Sequence, residues 1–231
     1  MTALKIRRID TSNPQAVRQL AGLKNQFADQ ATIVTAANKK LTQAVFGEPL
    51  TPVKVVERVC TDVQKKGIAS LLHYTEAFDK VRLTPRQIRV SAEDMAAAYA
   101  AADPEFLDAA RRIRDNVQQF QVGLMSNDAL LPLSEHYELH LRHRPLRRVG
   151  ICIPGGAAAY PSTLLMTVCP AQAAEVKEIV VVMPPTANGA NNKDMLAICH
   201  LLGVKEVYRV GGAQAVAALA YGVDGIEAVD M

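Results

Sequence analysis

His136, His140 and His143 are the residues that first raise the question of metal chemistry. A zinc ion needs three or four nitrogen, sulfur or oxygen ligands in tetrahedral array. Residues 135–145 alternate polar and apolar side chains, the period of a half-exposed strand. On a strand, His136 and His140 share a face but stand roughly 13 Å apart, and His143 points the other way. No metal site is expected there. The four cysteines are Cys60, Cys152, Cys169 and Cys199, and no two form a CxxC pair. Neither a zinc ribbon nor a thioredoxin-type centre is therefore expected. Their apolar neighbours suggest buried, reduced thiols. No base is placed beside Cys152 by sequence, so it is not read as a nucleophile. His73 and His200 stand alone and read as ordinary helix residues.

Two glycine pairs offer a different chemistry, that of holding a ligand. Gly155-Gly156 follows the apolar run Val149–Ile153, and Gly211-Gly212 follows Glu206–Val210. Glycine lets a ligand approach the backbone and permits positive φ. Each pair opens onto a predicted helix, whose first N–H groups suit an anion or a polar edge. Gln214 falls in the first turn after the second pair, where its amide both donates and accepts. Neither loop is a GxGxxG fingerprint or a phosphate-binding P-loop. Taken alone, each is equally a tight turn between strand and helix.

The elements that would position these loops are legible in the chain. Val149–Ile153, Ile179–Met183 and Glu206–Val210 read as short strands, apolar throughout as in a sheet covered on both faces. Helices are expected from Ser162 or Thr163, over Lys193–Leu202, and over Ala213–Ala220. Strands and helices that alternate in this way imply a parallel sheet. In such a sheet, ligands bind beyond the carboxyl ends of the strands. Residues 1–130 read instead as helices. Val53, Val56, Val59, Cys60 and Val63 recur at helical spacing, and Ala69–Phe78 is a second helix. Ser91 before Glu93 and Asp94 is an N-cap pattern. Asp103-Pro104 restarts a helix whose apolar face is Phe106, Ala109, Ala110, Ile113, Val117 and Phe120. The fold class is α/β: a helical N-terminal region, residues 1–130, then an incomplete Rossmann-like parallel sheet with helices on both faces, residues 131–231.

Bulk properties narrow the function classes. The chain has 231 residues, 49% hydrophobic and 21% charged, enough for a real core. A net charge of +3 is too small to argue for nucleic acid. The basic run of Arg142, Arg144, Arg147 and Arg148 reads as a solvated strand face. No stretch has the length of a membrane span, and residues 1–14 lack a signal-peptide core. A cytoplasmic setting is expected.

Several motifs carry a family resemblance. Val149-Gly-Ile-Cys-Ile-Pro-Gly-Gly-Ala-Ala-Ala-Tyr-Pro-Ser-Thr-Leu-Leu-Met166 and Val210-Gly-Gly-Ala-Gln-Ala-Val-Ala-Ala-Leu-Ala-Tyr-Gly222 resemble signature stretches of histidinol dehydrogenases. Asp62-Val-Gln-Lys-Lys-Gly67 and His73-Tyr-Thr-Glu-Ala-Phe-Asp79 agree with them. The resemblance covers most of the chain from about residue 50. It implies oxidation of L-histidinol to L-histidine through an aldehyde, with two NAD molecules in succession and one zinc ion, ending histidine biosynthesis. It also implies a homodimer.

Residue by residue, Gln214 matches a glutamine that contacts NAD, with Gly155, Gly156 and Gly212 in the same loops. Cys152 stands where the family usually has a tyrosine lining that site, with Tyr160 nearby in the loop. Ile68 stands where aspartate is frequent. The family's zinc ligands and acid/base pair match positions beyond Met231, so no catalytic or metal residue is assigned. On that reading the chain is a fragment, inactive alone. The alternatives are a non-catalytic module that binds a nucleotide or partner, and a related NAD-dependent dehydrogenase of another amino alcohol or hydroxy acid.

Overall fold

The computed structural model describes residues 9–28 and 35–231. The stretch read as lacking a signal-peptide core lies outside the described residues as far as residue 8. Two compact units divide at Arg58. In the first, α1 (Ala16–Ala28) and α2 (Ala36–Phe46) precede the start of α3 (Pro52–Lys66). Thr35 caps α2 by accepting from the Asn38 N–H. Both helices fall in the region read as helical, although neither was individually delimited from the sequence.

The second unit holds the remaining elements. Val59 and Val63 of α3 are fully buried there, whereas Val53 and Val56 of the same periodic set are about half exposed. α4 (Ile68–Asp79), the single turn α5 (Pro85–Ile88), α6 (Ala92–Ala101) and α7 (Pro104–Leu124) follow. The expected caps form. Ser91 accepts from the Asp94 N–H, and Asp103 from the Glu105 N–H with Pro104 as the first helical residue. On α7, Ala110 and Leu107 are buried and Phe106 and Val117 pack against the core, but Ile113 and Phe120 are exposed.

Next come β1 (Ala129–Ser134) and β2 (Tyr137–Leu141), an antiparallel hairpin exposed along its whole length. This corrects the reading of 135–145 as one half-buried strand. The first strand was missed because Pro132 within it removes a ladder donor and argues against strand.

The sheet is built from β3 (Arg148–Cys152), β4 (Glu178–Met183) and β5 (Glu206–Arg209), parallel and in the order β3-β4-β5. α8 (Pro161–Ala173) and α9 (Lys193–Leu201) connect them, and α10 (Gly212–Tyr221) follows the last. Ile151, Val181, Met183 and Val207 join one core with residues of α6, α7, α8 and α9. α10 lies against β3 and also packs on α4. Leu219 of α10 fills the space over Gly150, where a Cβ would stand 2.7 Å from Leu219 Cδ1. Both faces are thus covered, which is why Val149–Ile153 and Ile179–Met183 read as continuous apolar runs, whereas β5 carries Glu206 and Arg209 at its ends.

Each outer strand has a short neighbour. Val90 N–H donates to Val207 O at 2.8 Å beside β5. Residues 229–231 run beside β3, with Asp230 N–H donating to Arg148 O and Gly150 N–H to Met231 O.

The amino ends of the strands carry an ion cluster that the sequence reading did not anticipate. Arg148 is 2% exposed, not a solvated strand residue. Its guanidinium donates two bonds to Glu206, at 2.8 and 2.9 Å, and one to Glu178 at 2.8 Å. Tyr208 Oη donates to Glu206 or to Gly225 O, lying 2.7 and 2.9 Å from them. Arg142 and Arg144 are exposed as expected, while Arg147 reaches Glu178 and Glu227 at the rim.

Candidate functional site

Three loops meet at the carboxyl ends of β3, β4 and β5. Two are the glycine loops expected from sequence. The third, Pro184–Asn192 after β4, was not singled out. It ties the others together. Thr186 Oγ1 donates to Gly155 O at 2.5 Å, and Asn188 Nδ2 to Gly156 O at 3.0 Å. A Cβ on Gly155 would come within 2.9 Å of Gly189 Cα, and one on Gly211 within 2.4 Å of Pro184 Cγ. Gly155 and Gly211 are therefore small because loops pack on them. Gly156 is different: it is exposed, with nothing within 4 Å of its Cβ position. A ligand has room to approach the backbone there. The signal that marked this third loop was Pro-Pro followed by Thr, Asn and Gly, which reads as a loop without a ligand-binding pattern.

The helix starts differ as well. Asn192 caps α9 by accepting from the Asp194 and Met195 N–H groups. α8 and α10, which follow the two glycine loops, have no side-chain cap. An uncapped helix start leaves backbone donors and a partial positive charge for a ligand. At α10 the first residue, Gly212, has φ +64, a conformation that side chains rarely adopt. Gln214 stands one turn in, 2% exposed, with Oε1 against Gly212. Among the described residues its amide makes no hydrogen bond. The buried side-chain atoms without a partner among the described residues are Asp79 Oδ2 and Arg148 Nε; the Gln214 amide atoms are not among them and keep some contact with solvent at the loop.

Cys152 ends β3 and is exposed, which corrects the expectation that all four thiols are buried; Cys60 is half-buried, and Cys169 and Cys199 are buried. Neighbouring protein still desolvates the Cys152 thiol and raises its pKa above the ordinary value. A protonated thiol is a poor nucleophile, in keeping with the absence of a catalytic assignment. Tyr160 lies at the start of α8, half-buried. His136, His140 and His143 are exposed and engaged locally, His140 with Glu138 and His143 with Asp128. Among the described residues no three His, Cys, Asp or Glu side chains come together to hold a metal ion, and no helix is long and apolar enough to cross a membrane. A cleft of about 1380 Å³ lies elsewhere, along β3 between α8 and the base of the hairpin. It holds none of the glycine-loop residues.

An open parallel sheet with helices on both faces, and uncapped helix starts over its carboxyl ends, defines a Rossmann-like α/β protein, a class in which ligands bind at that end. Within that class the chain belongs to the histidinol dehydrogenase family, whose profile matches residues 49–231. It is similar to the histidinol dehydrogenase of Rhodopirellula baltica, 50% identical over 221 residues, covering 96% of this chain and 48% of that protein. The histidinol dehydrogenase of Geobacillus kaustophilus is 41% identical over 177 residues, covering 77% of this chain and 41% of the relative. The crystal structure of histidinol dehydrogenase from Elizabethkingia anophelis superposes with a TM-score of 0.73 at 31% identity, covering 91% of this chain and 45% of the other. The chain spans about half the length of the curated relatives it matches.

Proposed function

We propose that this chain supplies the NAD-binding portion of a zinc-requiring histidinol dehydrogenase, which oxidises L-histidinol to L-histidine through the aldehyde. That reaction ends histidine biosynthesis, and the complete enzyme works as a cytoplasmic homodimer. In this proposal residues 131–231 form the first part of the NAD-binding domain, preceded by the helical residues 1–130. Family membership supports the activity. The observation that carries the cofactor is Gln214: in the uncapped first turn of α10, beside Gly212, its amide makes no hydrogen bond among the described residues and keeps some contact with solvent at the loop.

The residues present fit such a ligand. Gly155 and Gly156 shape the first loop, with Gly156 leaving the approach open. Gly212 turns the chain into α10 so that Gln214 sits at the loop, its amide offering one donor and one acceptor edge. Cys152 closes the end of β3 with a small, neutral side chain in place of a tyrosine. When bound, NAD supplies a hydride acceptor; the chain's own residues bind and orient it. The described residues provide no zinc-ligand set, and none of them is assigned proton transfer.

The activity is tested by joining this chain to the C-terminal half of the Rhodopirellula baltica relative and following NADH formation. Histidinol-dependent NADH from the joined protein, and none from this chain alone, is the expected result. A joined protein that is folded and binds NAD, yet leaves histidinol untouched, would favour a binding module or another substrate.

A further inference from the structure

We propose that Thr186 and Asn188 are positioning residues of the ligand site. By donating to the carbonyls of Gly155 and Gly156, they turn the N–H groups of Gly156 and Ala157 outward as a pair of donors for the pyrophosphate of a bound dinucleotide. The inference deepens the NAD reading above and rests on it.

The direction of those N–H groups follows from covalent geometry. A peptide unit is planar, and in the trans form its C=O and N–H point opposite ways. Among the described residues no peptide bond is cis. Gly155 O accepts from Thr186 Oγ1 at 2.5 Å and Gly156 O from Asn188 Nδ2 at 3.0 Å, so both carbonyls face the loop after β4. The N–H groups of the same two peptide units, those of Gly156 and Ala157, therefore face away from it. Neither donates a hydrogen bond among the described residues. Both residues are exposed, and nothing stands within 4 Å of the Gly156 Cβ position.

Successive N–H groups turned to one side of the chain make an anion-binding concavity. The uncapped start of α8, at the other end of the same loop, adds partial positive charge. The pyrophosphate is the anionic part of NAD, so it is the part that this donor pair recognises.

The arm that sets the pair is itself braced. Ala190 N–H donates to Pro184 O, Asn191 Nδ2 to Pro185 O, and Asn192 Nδ2 to Ala187 O. At its base, Pro184 packs on Gly211 of the second glycine loop. One self-bonded segment thus fixes the first loop relative to the second. A glycine pair loses much conformational freedom when it is ordered. Holding it in place beforehand removes that cost from binding.

The test is titration of the full chain with NAD, and with inorganic pyrophosphate read by its displacement of NAD. Thr186 and Asn188 are only half-buried, so their variants should fold. Thr186→Val keeps the side chain's shape and loses one donor; Asn188→Ala loses the other. Each should weaken both ligands about threefold to tenfold, the range for one hydrogen bond. Thr186→Ser keeps the hydroxyl and should bind both as the parent does, which separates the hydrogen bond from packing. A parent that binds NAD, weakened by Gln214→Ala but not by Thr186→Val or Asn188→Ala, would overturn the positioning role and leave the NAD site standing. Pyrophosphate that fails to displace NAD, or displaces it equally well from every variant, would overturn the assignment of the donor pair. A parent that binds neither ligand would overturn the inference and the NAD reading together.

Discussion

Val181→Asp is expected to remove this chain from the soluble fraction on expression, and Val180→Asp to do the same. Both valines are fully buried in the central strand of the sheet. Val181 belongs to the core shared with α6, α7, α8 and α9, and its neighbour in the strand points to the opposite face. A carboxylate at either place finds no partner and no water. An unpaired buried charge is worth more than the roughly 5–15 kcal/mol by which a domain is stable, unless it takes up a proton. Soluble, cooperatively melting protein from either variant would show that one face of the sheet is open.

The second large effect is expected from Arg148→Met. Removing one partner of a fully buried ion pair destabilises by roughly 3–5 kcal/mol, because the other charge is stranded. Here Glu206 and Glu178 are 23% and 40% exposed at the side chain, so water takes up part of the loss. About 2–3 kcal/mol is expected in urea unfolding at neutral pH.

The pH dependence has a defined sign. The hydrogen bonds from Arg148 hold Glu206 down from 4.5 to about 2. A carboxylate with a depressed folded pKa contributes stability that is whole above its unfolded value and lost as pH falls through the folded one. The gap between parent and variant should therefore be full above pH 4.5 and shrink as the pH approaches about 2. A gap that stays constant over that window would mean the guanidinium acts through packing alone.

The contrast between these two predictions shows what kind of information the sequence held. Val180 and Val181 lie in an unbroken apolar run, and the run by itself says that both faces of the strand are covered. Ser91 and Asp103-Pro104 were equally legible, since a cap is a contact between near neighbours. The burial of Arg148 was not. Its partners Glu178 and Glu206 are 30 and 58 residues away, brought together only by the parallel register. The hairpin was half seen: β2 alternates as a strand should, but Pro132 hid its mate.

At the candidate site, strand order and glycine pairs located the two outer loops, and a family resemblance gave Gln214 and Cys152 their roles. The Pro184–Asn192 loop went unnoticed because its function is to hold other loops through Thr186 and Asn188, which no local pattern announces. Nor did the sequence separate the two members of the first glycine pair. Gly155 is buried under Gly189, whereas Gly156 is open.

Calorimetric titration of NAD into the full chain, with and without Gln214→Ala, tests the cofactor site most directly. Saturable binding to the parent is predicted, weakened about tenfold by the substitution, as expected for one or two lost hydrogen bonds. Thermal unfolding should change little, since the amide makes no hydrogen bond among the described residues. Absence of binding, or an affinity that Gln214→Ala leaves untouched, would contradict the placement of NAD at the start of α10.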